Sequence, residues 1–271
     1  MQHRVPLAPG RRARSESYGV IVHSHLRWDF VWQRPQQILS RLARTNPVLF
    51  VEEPILLDDI EHPTLDLMTP VDRVTRAVPR IPRGNGASYD EAMAMIRTLI
   101  DRARRSPLID GRFNKVVQWF YTPMPAPEMI GAFGENAVVY DCLDEPSRFR
   151  SPPSDLARRE RLLLSRADVV FARLERLFEA KSRYHHNVHF IADACEPPIE
   201  SARHAARAPD ESRAEEGLVP AAARSWDPIV RRMRQLIMTA VAARGAARDV
   251  NEILSAGLPH GAQPEAAGDP P

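Results

Sequence analysis

YGVIVHSHLRWDFVWQRPQQILSRLARTNPVLFVEEP, residues 18–54, is the stretch on which the fold turns. Gly19–Val22 is a short apolar run ending at His23, the pattern of a buried strand. Pro35 falls where a first helical position belongs, because that position needs no N–H partner. Ile38, Leu39, Leu42 and Ala43 then recur on one helical face. Val48–Val51 is β-rich and closes the unit. Parallel strands need a crossover of this length, so the stretch predicts a strand–helix–strand unit in a parallel sheet.

The loop between that strand and its helix carries the chemistry. In an open α/β sheet, ligands bind outside the carboxyl ends of the strands. His23, Ser24, His25, Arg27, Trp28, Asp29, Trp32, Gln33 and Arg34 fall there, within twelve positions. Indole rings cover the apolar faces of sugars, and arginine forks hold anionic oxygens. His23, His25, Arg27, Trp28, Asp29, Trp32, Gln33 and Arg34 are therefore the candidate substrate contacts. A structural alternative stands beside this: Trp28 and Trp32 plugging the sheet edge, and Arg34 pairing with Glu52 or Glu53.

Working outward, residues 55–90 hold prolines and alternating apolar positions, which predict short edge strands and turns, with one strand in VTRAVPRIPRG. GNG at 84–86 reads as a turn, and Ser88 is placed to cap a helix from Tyr89. Ala92, Met95, Ile96, Leu99 and Ile100 give that helix its spacing. KVVQWFYTP (115–123) is a buried strand, and PAPEMIGAFG (125–134) a short helix stopped by Gly134. AVVYDCLDE (137–145) is a strand whose exit holds Asp141, Asp144 and Glu145. A helix over 153–167 with Ser154 as cap, a strand over 168–172, a helix from Leu174 and a last strand over 187–193 follow. Strand and helix alternate from 18 to 193, which predicts an α/β fold, one doubly wound Rossmann-like parallel sheet of six or seven strands.

Residues 194–224 change character. They are rich in Ala, Arg, Pro and Glu and hold no strand-like run. Ile229, Met233, Leu236, Ile237 and Val241 then mark a C-terminal helix over 225–250. The ends, 1–17 and 251–271, read as a disordered basic leader and a disordered tail.

Composition narrows the function classes. Hydrophobic content of 44% and charged content of 27% are ordinary for a globular protein. A formal charge of +2 gives no support for a nucleic-acid binder. The leader has arginines but no apolar core, so it is not a secretory signal, and no run approaches the roughly 20 apolar residues of a membrane span. Cys142 and Cys195, far apart and without CxxC, suggest a reducing compartment and no zinc site. The expected location is cytoplasmic, with peripheral placement at the inner membrane face as an alternative. His185, His186 and His189 straddle a helix end and a strand, which does not gather three ligands on one side. No GxGxxG follows the first strand, and GxSxG, P-loop and HExxH are absent. No cofactor and no metal are expected.

HxRWDFVWQRPQ, LSRLAR and VLFVEEP, followed in order by VVYDCLDE, LLLSRADVVFA and NVHF, resemble the N-terminal domain of bacterial two-Rossmann (GT-B) glycosyltransferases. Among these it is similar to the teichuronic-acid-type transferases, some of which are fused to a UDP-galactopyranose mutase. SWD…M..LI resembles the last helix of the same family. The resemblance covers about two-thirds of the chain and implies that the middle of a second, donor-binding Rossmann domain is missing; a frameshift into an Ala/Arg-rich frame is the other explanation.

The resemblance further implies sugar transfer from a nucleotide sugar to a polysaccharide or lipid-linked acceptor. The cations that would clamp the leaving diphosphate belong to the missing domain. This chain alone is therefore expected to be a weak or inactive transferase, or else a non-catalytic glycan- or protein-binding module. Asp141, Asp144 and Glu145 are the candidate catalytic acids, since a carboxylate can deprotonate an acceptor hydroxyl. DCLDE lacks the spacing of a DxD metal motif. A homo-oligomer or a partner transferase is the expected protein partner, because an absent domain should leave apolar surface bare.

Overall fold

The computed structural model describes residues 18–83, 88–107, 109, 113–145, 153–194 and 225–256. The leader, the GNG turn, Cys195, the rest of the Ala/Arg-rich stretch and the tail beyond 256 lie outside the described residues.

The opening stretch folds as β1 (Gly19–His23), α1 (Arg34–Leu42) and β2 (Val48–Val51). β1 pairs parallel with β2 on one side and with β6 (Val116–Phe120) on the other. β3 (Ile55–Leu57), β4 (Thr64–Val71) and β5 (Val74–Pro82) follow β2. β7 (Ala137–Cys142), β8 (Val169–Ala172) and β9 (Val188–Phe190) extend the far side. The sheet runs β3-β5-β2-β1-β6-β7-β8-β9, parallel throughout, with β4 added antiparallel to β5. The chain winds outward from β1 to β5, then returns to the other side of β1 as β6. The strand order therefore reverses between β1 and β6.

The edge region departs from the expected six or seven strands. β4 and β5 form a long hairpin, with Arg73 at a φ of 60° in the connection. A left-handed arginine is an uncommon turn residue, so the sequence carries none of the usual Asn-Gly or Asp-Gly hairpin signal. No residue of the outer strand β4 is buried, whereas β5 is mostly buried.

Both sheet faces are covered, which explains why β1, β2, β6, β7 and β8 are buried at every position. Side chains alternate across a strand, so Val20 and Val22 face one core while Ile21 faces the other. The second core receives α2 (Tyr89–Ala103), α3 (Ala126–Met129), α4 (Leu156–Arg166) and α5 (Glu175–Ser182). The first receives α1 and α6 (Trp226–Ala256). Ser88 caps α2 as the sequence predicts: its hydroxyl accepts from the Glu91 N–H and the Glu91 side chain reaches back. Ser154 does not cap α4; Asp155 holds the cap position and makes no side-chain cap bond. Gly131 and Gly134 end the α3 turn with φ of 88° and 64°. Gly19 serves close approach instead: a Cβ there would lie 2.3 Å from the Phe113 ring.

α6 crosses back over the first core. Trp226, Val230, Met233, Ile237, Ala240 and Val241 are buried against it. Full burial of a Met or Ile side chain contributes about 1.5–3 kcal/mol, so this stripe holds the helix down. Arg44 to Asp227 and Arg244 to Asp168 pin its flanks at 2.9 and 2.6 Å. No helix among the described residues is long and apolar enough to cross a membrane.

Candidate functional site

The carboxyl ends of β1, β2 and β6 to β9 form one edge, and the predicted site residues collect along it. A narrow cleft sits where the strand order reverses. It is lined by His23 and Ser24 from β1, Glu52 and Glu53 after β2, Thr122 after β6, and Tyr89 from α2.

His23 is buried, stacks on Phe120 at 4.6 Å, and bonds through Nε2 to the Gln118 Oε1 at 2.9 Å. The Gln118 amide N–H donates to the Met129 carbonyl, which leaves its oxygen to accept. His23 therefore carries its proton on Nε2. Burial pulls its pKa down to about 4, against opposing pulls from Gln118 and Glu135, so the ring is neutral at pH 7. His25 is half-buried; burial lowers its pKa, and the Asp144 charge and the Tyr121 backbone act against that.

The 24–33 loop is held at its front by one carboxylate. Glu52 accepts from Arg76 Nε at 2.7 Å, Arg27 Nη1 at 3.0 Å and the Trp28 backbone N–H at 2.8 Å. Its burial would raise its pKa, but these donors together hold the carboxyl below its ordinary value. Arg27 also reaches the Glu53 carbonyl at 2.8 Å, and Asp29 pairs with Arg76. The Trp28 carbonyl accepts from Gln36 at 2.8 Å, and its ring packs edge-on against Phe50 at 5.1 Å. Trp28 is thus a core residue, while Trp32 leans edge-on against it at 6.1 Å and stays 52% exposed.

The back of the loop is held by Arg34. It forms a fork on Asp141, with Nη2 at 3.0 Å and Nε at 3.2 Å, and Nη1 donates to the Ile191 carbonyl at 2.9 Å and to Asp193 at 2.7 Å. One arginine thereby ties α1 to β7 and to the exit of β9. The partner is not Glu52 or Glu53, because those face the other end of the loop. Burial pushes the Asp141 carboxyl up, with Arg34 pulling it back down. Gln33 is the α1 cap residue; its N–H donates to the Gln36 side chain at 3.0 Å.

The two remaining acids lie just past the end of β7. Asp144 is half exposed, with Arg173 at 3.5 Å. Glu145 pairs with Lys181 at 3.1 Å, which also holds Glu160 at 2.9 Å. Cys142 is buried beside them, and burial pushes its thiol up to about 12. His185 stacks on His186 at 5.0 Å, and His189 bonds to Asn187 at 2.9 Å. Among the described residues no group of three or more His, Cys, Asp or Glu is placed to hold a metal ion.

Beyond the loop, an open groove is lined by Trp32, Gln33, Arg34, Gln37, Leu143, Arg173, Asp193 and Trp226. Arg76, Arg173 and Asp193 were not legible as site residues, since each lies alone in its own stretch. Only strand pairing brings them to this edge.

No family model matches the chain, and no curated protein matches it. Several solved structures do. One is the trehalose-6-phosphate protein from E. coli bound with UDP-2-fluoro glucose: 13% identity, a TM-score of 0.44, covering 69% of this chain and 54% of that one. Two are of the UDP-forming α,α-trehalose-phosphate synthase from Burkholderia xenovorans. The one in complex with glucose-6-phosphate is 11% identical, TM-score 0.44, covering 66% and 50%. The other is 12% identical, TM-score 0.41, covering 70% and 54%. The chain spans about half the length of the structures it matches.

Proposed function

We propose that this chain is the acceptor-side half of a GT-B-type sugar-transfer protein and that it binds a glycan-bearing ligand at the carboxyl edge of its sheet. The observation that supports this reading is the reversal of strand order between β1 and β6, with the loop from β1 folded beside that crevice. His23 lines the crevice side, and Trp32 and Gln33 the groove side. Arg27, Trp28, Asp29 and Arg34 hold the loop in place between them. In a complete transferase Asp144 would be the acceptor base among the three candidate acids, because Asp141 is bound to Arg34 and Glu145 to Lys181.

A second reading, a non-catalytic binding module, is favoured by a specific feature. Arg27, Arg34 and Arg76 are each paired with a carboxylate, so the loop offers no unpaired guanidinium to clamp a diphosphate.

Calorimetric titration with UDP, GDP and their sugar conjugates separates the two. The enzyme reading predicts micromolar binding of one nucleotide and measurable sugar transfer. The module reading predicts glycan binding without either. Absence of any nucleotide or glycan binding would sink both.

A further inference from the structure

We infer that the groove beside Trp32 is a subsite for an uncharged sugar ring, with Arg173, Asp193 and Gln37 as its polar readers. This rests on the reading that the carboxyl edge binds a glycan, and it adds residues and a ligand chemistry to it.

The groove has a volume of about 300 Å³, at the lower end of the size range of ligand sites. Its wall is an indole left half bare. Trp32 has 52% of its surface exposed, although burying such a ring is strongly favourable. Its contact with Trp28, itself packed on Phe50, backs it with a rigid aromatic column. An indole presented in this way forms a flat platform for the C–H face of a pyranose or furanose.

The polar lining selects against charge. Arg34 and Arg173 meet three carboxylates, Asp141, Asp193 and Asp144. Among the described residues this cluster leaves no net positive charge for a phosphate or uronate. The lining is nevertheless rich in planar donors and acceptors. Arg34 is committed at 2.7–3.0 Å, but Arg173 is held loosely, 3.5 Å from Asp144 and 3.7 Å from Asp193. Its Nε is buried with no hydrogen-bond partner among the described residues. A vicinal diol can bridge Arg173 and Asp193, accepting from the guanidinium and donating to the carboxylate, whereas an ionised carboxylate placed there could only accept and would face the Asp193 charge. Gln37 offers a further neutral amide on the same wall.

The test is calorimetric and fluorescence titration of the full chain. The probes are neutral glucose-, galactose- and mannose-based tetrasaccharides, glucose-6-phosphate, inorganic phosphate, UDP and UDP-glucose. The inference predicts that at least one neutral tetrasaccharide binds and perturbs tryptophan emission. Trp32→Ala should weaken that binding at least tenfold and Asp193→Asn several-fold. Arg97→Ala, on the exposed side of α2, should leave it unchanged, and circular dichroism should show all three variants folded. Tenfold tighter binding of glucose-6-phosphate or phosphate than of any neutral tetrasaccharide would overturn the inference, as would full affinity in Trp32→Ala. Binding of UDP or UDP-glucose with no neutral sugar would overturn it and leave the broader reading standing. No binding of any probe would remove both.

Discussion

The two ends of the 24–33 loop are held by different kinds of ion pair. At the front, Glu52 is enclosed, but its partner Arg27 keeps 38% of its side chain in water and Arg76 keeps 17%. At the back, Arg34 and Asp141 expose 2% and 0%. The front is a cluster that solvent can partly repair. The Arg34–Asp141 pair at the back is out of reach of solvent, so losing Arg34 strands the Asp141 charge inside the protein. The contrast separates fixing the loop from presenting it. The buried pairs position the backbone, and they leave the indole of Trp32 exposed.

The sharpest way to break this contrast is at the back. Arg34→Ala should cost about 3–5 kcal/mol in urea unfolding, since Asp141 is left buried and unpaired. A loss no larger than that of a surface substitution would erase the distinction.

Next in size is an acid effect at the crevice. His23 has a folded pKa of about 4 against an ordinary value of 6.5. The stability of its neutral form is fully present above pH 6.5 and is lost as pH falls through 4. The loss should reach about 3 kcal/mol. His23→Gln should flatten the stability curve between those limits, whatever its baseline. An unchanged slope would contradict the neutral, Nε2-protonated assignment.

Glu52→Gln comes third, at about 1.5–3 kcal/mol for lost charged hydrogen bonds. Its carboxyl is depressed in the fold, so its contribution is present above the ordinary glutamate pKa and is lost on acidification below it. The deficit of the variant should therefore shrink in acid. Thermal melts at pH 7 and pH 3 would show whether it does. Smallest is Asp29→Asn at the exposed end of the same cluster, where about 0–1 kcal/mol is expected. A larger loss would mean that the front behaves like the back.

The sequence disclosed what depends on local pattern. β1, α1 and β2 were visible because an apolar run, a proline and a 3.6-residue period follow one another within one short stretch. Ser88 was visible because a serine stands directly before a helical period. The β4–β5 hairpin was not, because Arg73 is not a typical residue for its turn. The partner of Arg34 was not either. Asp141 is 107 positions away and Asp193 is 159, and only the order of the sheet joins them. The loop residues were visible as a cluster, but their division of labour was not. Burial decides that Trp28 packs while Trp32 stands out, and two tryptophans four positions apart look alike in sequence.

The most direct test of the account is a double-mutant cycle in urea on Arg34→Met and Asp141→Leu. Arg34→Met should lose about 3–5 kcal/mol, because Asp141 is left buried and unpaired, and Asp141→Leu should lose less, because Asp193 still pairs with Arg34. The double variant should lose less than the sum by at least about 1 kcal/mol, since it removes both charges together. Single losses below about 1 kcal/mol that simply add would contradict the claim that this pair fixes the carboxyl edge.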